Sequence, residues 1–316
     1  MSRQPLRIAA PTLTVAITTY NRWAKCERAF DSILGQTESR IEILLVDDCS
    51  PLLIPPRFAK KITDAGAQYY RHTVNRGLAA ARNTAIKNAE GRFFSFCDDD
   101  DLWLADAATK LLTPLRAADS TATIAIALPS AGESCFKGRR ELSLRELMLL
   151  GVTPPVAAQL YKTELIREVG GYDESVRSGV DHDLWISLVS NNPCVGIVLE
   201  NCSSVDDDPF AERITTAEAS RRAEIKRSLS IWRGKIETVF GADFYQHFCK
   251  SYEEYLNLTF LIQAMKRGSV GEAFAKALEQ PRTIWQLFLL ARRRFAMGRV
   301  CSTFKPFTSE RIELRP

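Results

Sequence analysis

The sequence predicts an α/β fold: a mostly parallel central sheet flanked by helices, followed by an α-helical C-terminal extension. Three observations carry that reading. Short β-branched apolar runs alternate with helix-period patterns from Leu13 to Cys97, acidic residues follow directly on two of those runs, and strand signals vanish beyond about Asp206. A sheet built by such alternation binds ligands beyond the carboxyl ends of its strands. The expected division is an N-terminal tail over 1–11, an α/β domain over 12–205 and a helical region over 206–316.

Leu13 to Thr18 reads as a buried first strand. The turn-forming Asn21 separates it from a helix in which Cys26, Ala29, Phe30, Ile33 and Leu34 make one apolar stripe. Ile41 to Val46 is too short for a helix and ends in the polar turn Asp47-Asp48-Cys49-Ser50-Pro51, as a strand does. Ala67 to Arg71 reads as a third strand, Leu78 to Ala89 as a helix and Arg92 to Cys97 as a fourth strand. Further strands are expected at Thr123–Leu128, Val156–Tyr161 and Val195–Leu199. Helices are expected at Ser143–Leu150, opened by the capping box Ser143-x-x-Glu146, and at Asp183–Val189. Ala217–Phe240, Ala242–Arg267 and Thr283–Met297 then read as helices parted by Gly241 and Gly268-Ser269.

The 316 residues, 46% hydrophobic and 25% charged, suit one large folded domain with a smaller appendage. Eight cysteines without a Cys-x-x-Cys pair argue against zinc and against a disulfide framework, and fit a reducing, cytoplasmic setting. No run reaches the roughly 18–20 apolar residues of a membrane span, and Met1 to Pro11 has no apolar leader core. From Arg282 onward eight Arg or Lys stand against Glu310 and Glu313, beside the apolar spacing Ile284, Leu287, Phe288 and Ala291. This basic C-terminal helix suits a peripheral contact with the inner face of a membrane; the same pattern suits a self-packing helical subdomain.

The chemistry is expected at strand ends. Asp48 and the run Asp98-Asp99-Asp100-Asp101 each follow a predicted buried strand. Adjacent carboxylates raise one another's pKa unless a cation or a set of donors neutralises them. A divalent cation, Mn2+ or Mg2+, bound through one or two carboxylates and a substrate's phosphates is the simplest neutraliser; a solvated acidic loop is the alternative. Asp48 suits acceptance of a hydrogen bond from a sugar hydroxyl or a base N–H, and equally suits a turn. Neither Gly-x-Gly-x-x-Gly nor Gly-x-x-x-x-Gly-Lys is present, so a dinucleotide fingerprint and a P-loop are both excluded.

Thr18-Thr19-Tyr20-Asn21-Arg22, Ser32-Ile33-Leu34-Gly35-Gln36-Thr37, Glu42 through Ser50, and Asn75-Arg76-Gly77-Leu78-Ala79-Ala80-Ala81-Arg82-Asn83 come in order. Ala89-Glu90-Gly91, Phe94 through Trp103, Gly170-Gly171-Tyr172-Asp173-Glu174 and Asp181-His182-Asp183-Leu184-Trp185 complete the set. Over about residues 12 to 200 this ordered set resembles the family 2 glycosyltransferases of the GT-A fold. The resemblance implies a nucleotide-diphosphate sugar donor, usually UDP-linked, and inversion at the anomeric carbon. It implies that Thr18 and Tyr20 line the base pocket, that Asp48 reads the uracil, and that Asp98 and Asp100 meet ribose and metal, with Asp99 at the donor and Asp101 in support. By the same similarity Asp181 is the general base, although an Asp there also suits a helix cap. Arg82 is expected to contact the metal-site carboxylates or the donor.

Two departures stand out. Family members often carry Glu-Asp where this chain has Val180-Asp181, which leaves the acceptor class open, and many carry a His where this chain reads Asp206 to Thr216. Arg213 is expected to clamp the diphosphate in its place. His72 ends a strand, His247 lies mid-helix and only His182 adjoins the site. Trp103 is placed to border a sugar, whereas Trp185 reads as core. Specificity is expected in loops after Asp101 and around Gly151 to Pro155. The expected acceptor is a glycan or lipid-linked glycan approached from the cytosolic side; no nucleic-acid partner is expected. A nucleotidyltransferase would need a Gly-rich loop after the first strand, which Thr18 to Trp23 lacks, and a catalytically silent nucleotide-sugar-binding module remains the third reading.

Overall fold

The computed structural model describes residues 11–38, 40–128, 139–149, 154–205 and 218–266. The chain opens with β1 (Leu13–Thr19), α1 (Trp23–Leu34), β2 (Ile41–Asp47), α2 (Pro56–Asp64), β3 (Gln68–Arg71), α3 (Leu78–Asn88) and β4 (Phe93–Phe96). It continues with β5 (Asp101–Trp103), α4 (Ala107–Arg116), β6 (Ile124–Ala127), β7 (Glu141–Ser143), α5 (Leu144–Leu149), β8 (Gln159–Lys162) and α6 (Thr163–Glu168). Then come α7 (Val180–Leu188), β9 (Cys194–Val198), β10 (Ser203–Val205), α8 (Glu218–Phe240) and α9 (Ala242–Lys266).

Eight strands form one sheet in the order β3-β2-β1-β4-β8-β6-β9-β7, in which only β8 and β7 run against the rest. The chain winds outward from β1 through β2 to β3 and then returns to β4 on the other side of β1. That reversal makes the carboxyl ends of β1 and β4 a switch point, where an open crevice forms. In register, Thr19 faces Asp47 and Ala16 faces Phe96, so the turn after β1 lies beside the one after β4. All seven residues of β1 are buried, as expected of a strand covered on both faces.

Strand alternation divides the core. Val15, Ile17, Ile43 and Leu45 pack with Phe30, Phe58 and Leu111 from α1, α2 and α4. Ala16, Leu44, Val46 and Phe94 face the opposite way, toward Ile86 of α3 and Leu184 of α7. Trp232 and Ile236 of α8, with Phe248 and Tyr252 of α9, belong to this second cluster. The C-terminal helices therefore share the sheet's own core. Burying each such side chain contributes roughly 1.5–3 kcal/mol.

Several boundaries differ from the sequence reading. Val156–Ala158 is a 3-10 turn, and the strand starts only at Gln159. Helix α7 starts at Val180 rather than Asp183, because Gly179 adopts a left-handed conformation (φ 78°) that releases the chain into the helix one turn sooner. Helices α2, α4 and α6 escaped the pattern: α2 opens on Pro56, α4 carries Pro114, and α6 has only six residues. The capping box is present, with Glu146 N–H donating to Ser143 Oγ (3.2 Å) and Ser143 N–H to Glu146 Oε2 (2.8 Å). The expected helix over Thr283–Met297 and the basic tail lie outside the described residues. The six described cysteines are free, and no described helix is long and apolar enough to cross a membrane.

Candidate active site

Arg82, in the second turn of α3, is 0% exposed, and its guanidinium joins the loop after β4 to the first turn of α7. Nη1 donates to Asp181 Oδ1 at 2.7 Å, and Nη2 donates to both oxygens of Asp98 at 3.0 and 3.2 Å. The rings of Phe96 and Tyr172 lie 5.2 and 5.4 Å from the same group. Burial works against the Arg82 charge, but Asp98 and Asp181 reverse that effect and hold the guanidinium firmly protonated. Burial also pushes the Asp181 carboxyl up, and Arg82 overcomes it, holding Asp181 below the usual carboxylate range. With 57% of its side chain exposed, Asp181 is an ionised carboxylate open to solvent. Burial leaves Asp98 raised despite Arg82.

The remaining aspartates of the cluster separate by depth. Asp99 is 1% exposed and accepts from Thr19 Oγ1 (2.7 Å) and Arg22 Nε (3.0 Å), with Arg22 Nη2 on its other oxygen. It is expected at the donor, yet its carboxylate is spent on the turn after β1. Burial pushes it up to about 7. Asp100, 30% exposed, accepts from Arg22 Nη1 at 2.9 Å. Asp101 lies within β5, where burial and then the charges of Asp98, Asp100 and Asp181 push it up to about 8.

Asp48 is 5% exposed and organises the loop before α3. Its two oxygens accept the backbone N–H groups of Arg76 (2.8 Å) and Gly77 (2.6 Å). His72 Nδ1 lies 2.7 Å from Asp48 Oδ1, and its Nε2 lies 2.8 Å from Thr84 Oγ1. His72, set aside in the sequence as a strand end, thus orients Asp48. Its position at the carboxyl end of β3, beside β2, was the available signal. Asp47 is equally committed, accepting from Ser50 N–H (2.8 Å), Arg71 Nη1 (2.6 Å) and Tyr69 OH (3.1 Å). Thr18 is buried and Tyr20 is 37% exposed at the end of β1.

Asp181 and Asp183 both lie in the first turn of α7, where the helix dipole favours negative charge. They face different ways. Asp183 is 0% exposed and accepts from Asp173 N–H (2.7 Å) and Trp232 Nε1 (2.8 Å), whereas Asp181 meets Arg82. Trp103 corrects an expectation: it is 4% exposed, with Nε1 donating to Ala157 O (2.9 Å), so the β5–β10 pairing turns its ring into the core rather than toward a sugar. Trp185 is core as expected, bonded to Gln159 Oε1 (2.8 Å). Arg213, Asp206 to Thr216 and residues 151–153 lie outside the described residues.

Among the described residues no three His, Cys, Asp or Glu side chains converge as a ready metal site. Asp98 and Asp100 are partly exposed and two residues apart, a donor set that fits a hard cation taking one or two carboxylates and completing its shell with phosphate oxygens.

Residues 14–163 match the family model described as glycosyl transferase family 2. An uncharacterized glycosyltransferase of Rickettsia conorii is 33% identical over 193 residues, covering 58% of this chain and 31% of that protein. The WcaA protein of Escherichia coli, whose name provisionally assigns it to colanic acid biosynthesis, is 34% identical over 94 residues, 29% of this chain and 34% of that one. The chain thus spans about a third of the length of these relatives. Among solved structures, Staphylococcus aureus TarS with UDP-GlcNAc superposes at TM-score 0.55 and 16% identity, over 80% of this chain and 72% of that one. The mannosyltransferase PcManGT of Pyrobaculum calidifontis, with GDP-Man and Mn2+, does so at 0.55 and 20%, over 94% and 92%. The matched segment holds nearly all of β1 through β8 and the Asp98 to Asp101 cluster, and over that segment the chain is similar to glycosyl transferase family 2, on the GT-A fold that these solved glycosyltransferases share.

Proposed function

We propose that the chain moves a sugar from a nucleotide-diphosphate donor, a UDP-sugar, onto a hydroxyl of a glycan or lipid-linked glycan, with inversion at the anomeric carbon. The observation that carries this reading is the buried Arg82 bridge, which joins Asp98, a donor-side carboxylate, to Asp181, an exposed and ionised one. Inversion needs groups on opposite faces of one carbon, with a base within hydrogen-bond reach of the attacking hydroxyl. Asp181 takes that hydroxyl's proton as the oxygen attacks, and the bond to the diphosphate breaks on the far side. Thr18 and Tyr20 flank the base, and Asp48 accepts its N–H. Arg213 is assigned to the leaving diphosphate. When bound by Asp100 and Asp98, a divalent cation, Mn2+ or Mg2+, supplies charge neutralisation for that leaving group.

Support for the donor class comes from the solved relatives, which hold UDP-GlcNAc and GDP-Man. For the acceptor, support comes from the colanic acid assignment of WcaA and from the basic tail, which also suits work at the cytoplasmic face of a membrane. Residues 12–205 are assigned the chemistry and 206–316 a supporting role.

The test is a panel of UDP-, GDP- and dTDP-sugars with Mn2+, scored for binding and slow hydrolysis on the intact chain, Asp100→Ala and Asp181→Ala. One UDP-sugar should bind with metal, lose binding in Asp100→Ala, and bind with only residual turnover, measurable at high enzyme concentration, in Asp181→Ala. Failure of every nucleotide sugar to bind would sink the reading.

A further inference from the structure

Beyond the family match, which ends at residue 163, the chain carries two long helices that reach back to the element bearing Asp181. Their contacts concentrate on a short stretch. Ser228 Oγ of α8 donates to the carbonyl of Ser178 at 2.8 Å. Trp232, itself 0% exposed, donates Nε1–H to Asp183 Oδ1 at 2.8 Å. Tyr252 OH of α9 lies 2.6 Å from His182 Nδ1, and Lys235 Nζ donates to Ser187 Oγ at 2.9 Å. Gly179, in the left-handed region, has the two helices against it: an added Cβ would lie 2.8 Å from Trp232 Cη2 and 3.1 Å from Tyr252 OH. Residues 178, 179, 182 and 183 are thus held from one side, and Asp181, between them, reaches the other way, to Arg82.

We infer that α8 and α9 are a positioning device for the base, with Trp232 and Tyr252 as positioning residues that set where Asp181 stands relative to the acceptor hydroxyl. This rests on the reading of Asp181 as the base. The physical argument is leverage. Asp181 is exposed and is bonded to Arg82 of α3, so the position of the first turn of α7 is set by the tethered residues on either side of it. A displacement of about 1 Å at a reacting group costs on the order of a hundredfold in rate.

Tyr252→Phe removes one hydroxyl and keeps the ring, and Trp232→Phe is the second probe in case the first perturbs folding. Each is expected to lower turnover of the UDP-sugar identified above on the order of tenfold while leaving its Kd unchanged, a kcat effect without a binding effect. The deciding measurement is a cycle with Asp181→Ala. In that background Tyr252→Phe should produce no further loss, because the residue acts through a carboxylate no longer there. If the tenfold loss persists without Asp181, or if neither variant changes kcat, the positioning role is overturned. If Asp181→Ala itself keeps full turnover, the base assignment fails first, and the two failures are told apart.

Discussion

Asp181 Oδ1 stands 2.7 Å from Nη1 of Arg82, a guanidinium with no exposure of its own, although Asp181 is itself more than half exposed. The buried partner therefore depends on the exposed one and on Asp98 for charge balance. Losing either carboxylate leaves the other, whereas Asp98→Asn with Asp181→Asn leaves a buried cation unpaired. The double variant should lose about 3–5 kcal/mol, and more than the sum of the single losses. Urea unfolding of the four proteins checks this; strict additivity would mean that Arg82 is neutralised elsewhere.

Asp101 gives a pH dependence. Burial and neighbouring carboxylates raise its folded value from 3.8 to about 8, so the folded state holds a proton that the unfolded chain has released. The stabilisation is complete below the unfolded value, drains away as pH climbs toward 8, and is gone above it. Asp101→Asn should flatten the profile between pH 5 and 8 and raise Tm at pH 8.5 by roughly 2 °C, measured by calorimetry without divalent cation or nucleotide. A parallel profile in the variant would contradict the assignment.

His72 sits between Asp48 and Thr84, with contacts of 2.7 and 2.8 Å. His72→Phe should cost about 1–3 kcal/mol of stability, because buried polar partners lose a neighbour. If Asp48 reads a base N–H, UDP affinity should fall together with stability, on the order of tenfold. Isothermal titration of UDP separates the outcomes: an unchanged Kd with lowered stability would make Asp48 a loop organiser alone.

The legible parts of the molecule were those with local signatures. The β-branched runs gave β1, β2 and β4, and Ser143-x-x-Glu146 gave the start of α5, since both signals depend on near neighbours. The Asp cluster announced a charged centre. Arg82 was expected at these carboxylates through the family resemblance and does meet Asp98, whereas the part of Arg22 and the link on to Asp181 did not show in the sequence, because those residues come together only through the sheet order. His72 looked idle for the same reason, since its partner lies 24 residues away on an adjacent strand end. Strand β5 was hidden within the acidic run itself: three residues pairing with β10 carry too little pattern to read.

Arg22 bears on metal binding. Its Nη1 is 2.9 Å from Asp100, and its Nε is 3.0 Å from Asp99, so one guanidinium already balances the carboxylate best exposed to an incoming ion. A second cation approaching Asp100 meets that charge at short range, where repulsion is only partly screened. Nucleotide-free protein should therefore bind Mn2+ weakly, and Arg22→Gln should bind it about tenfold more tightly, read by electron paramagnetic resonance of free Mn2+. Adding UDP should narrow the difference, because the diphosphate oxygens supply ligands that the protein alone lacks. Equal or weaker Mn2+ binding in Arg22→Gln would mean that Arg22 supports the site rather than competing for it, and Asp100 would then have to take the ion with its arginine still in place.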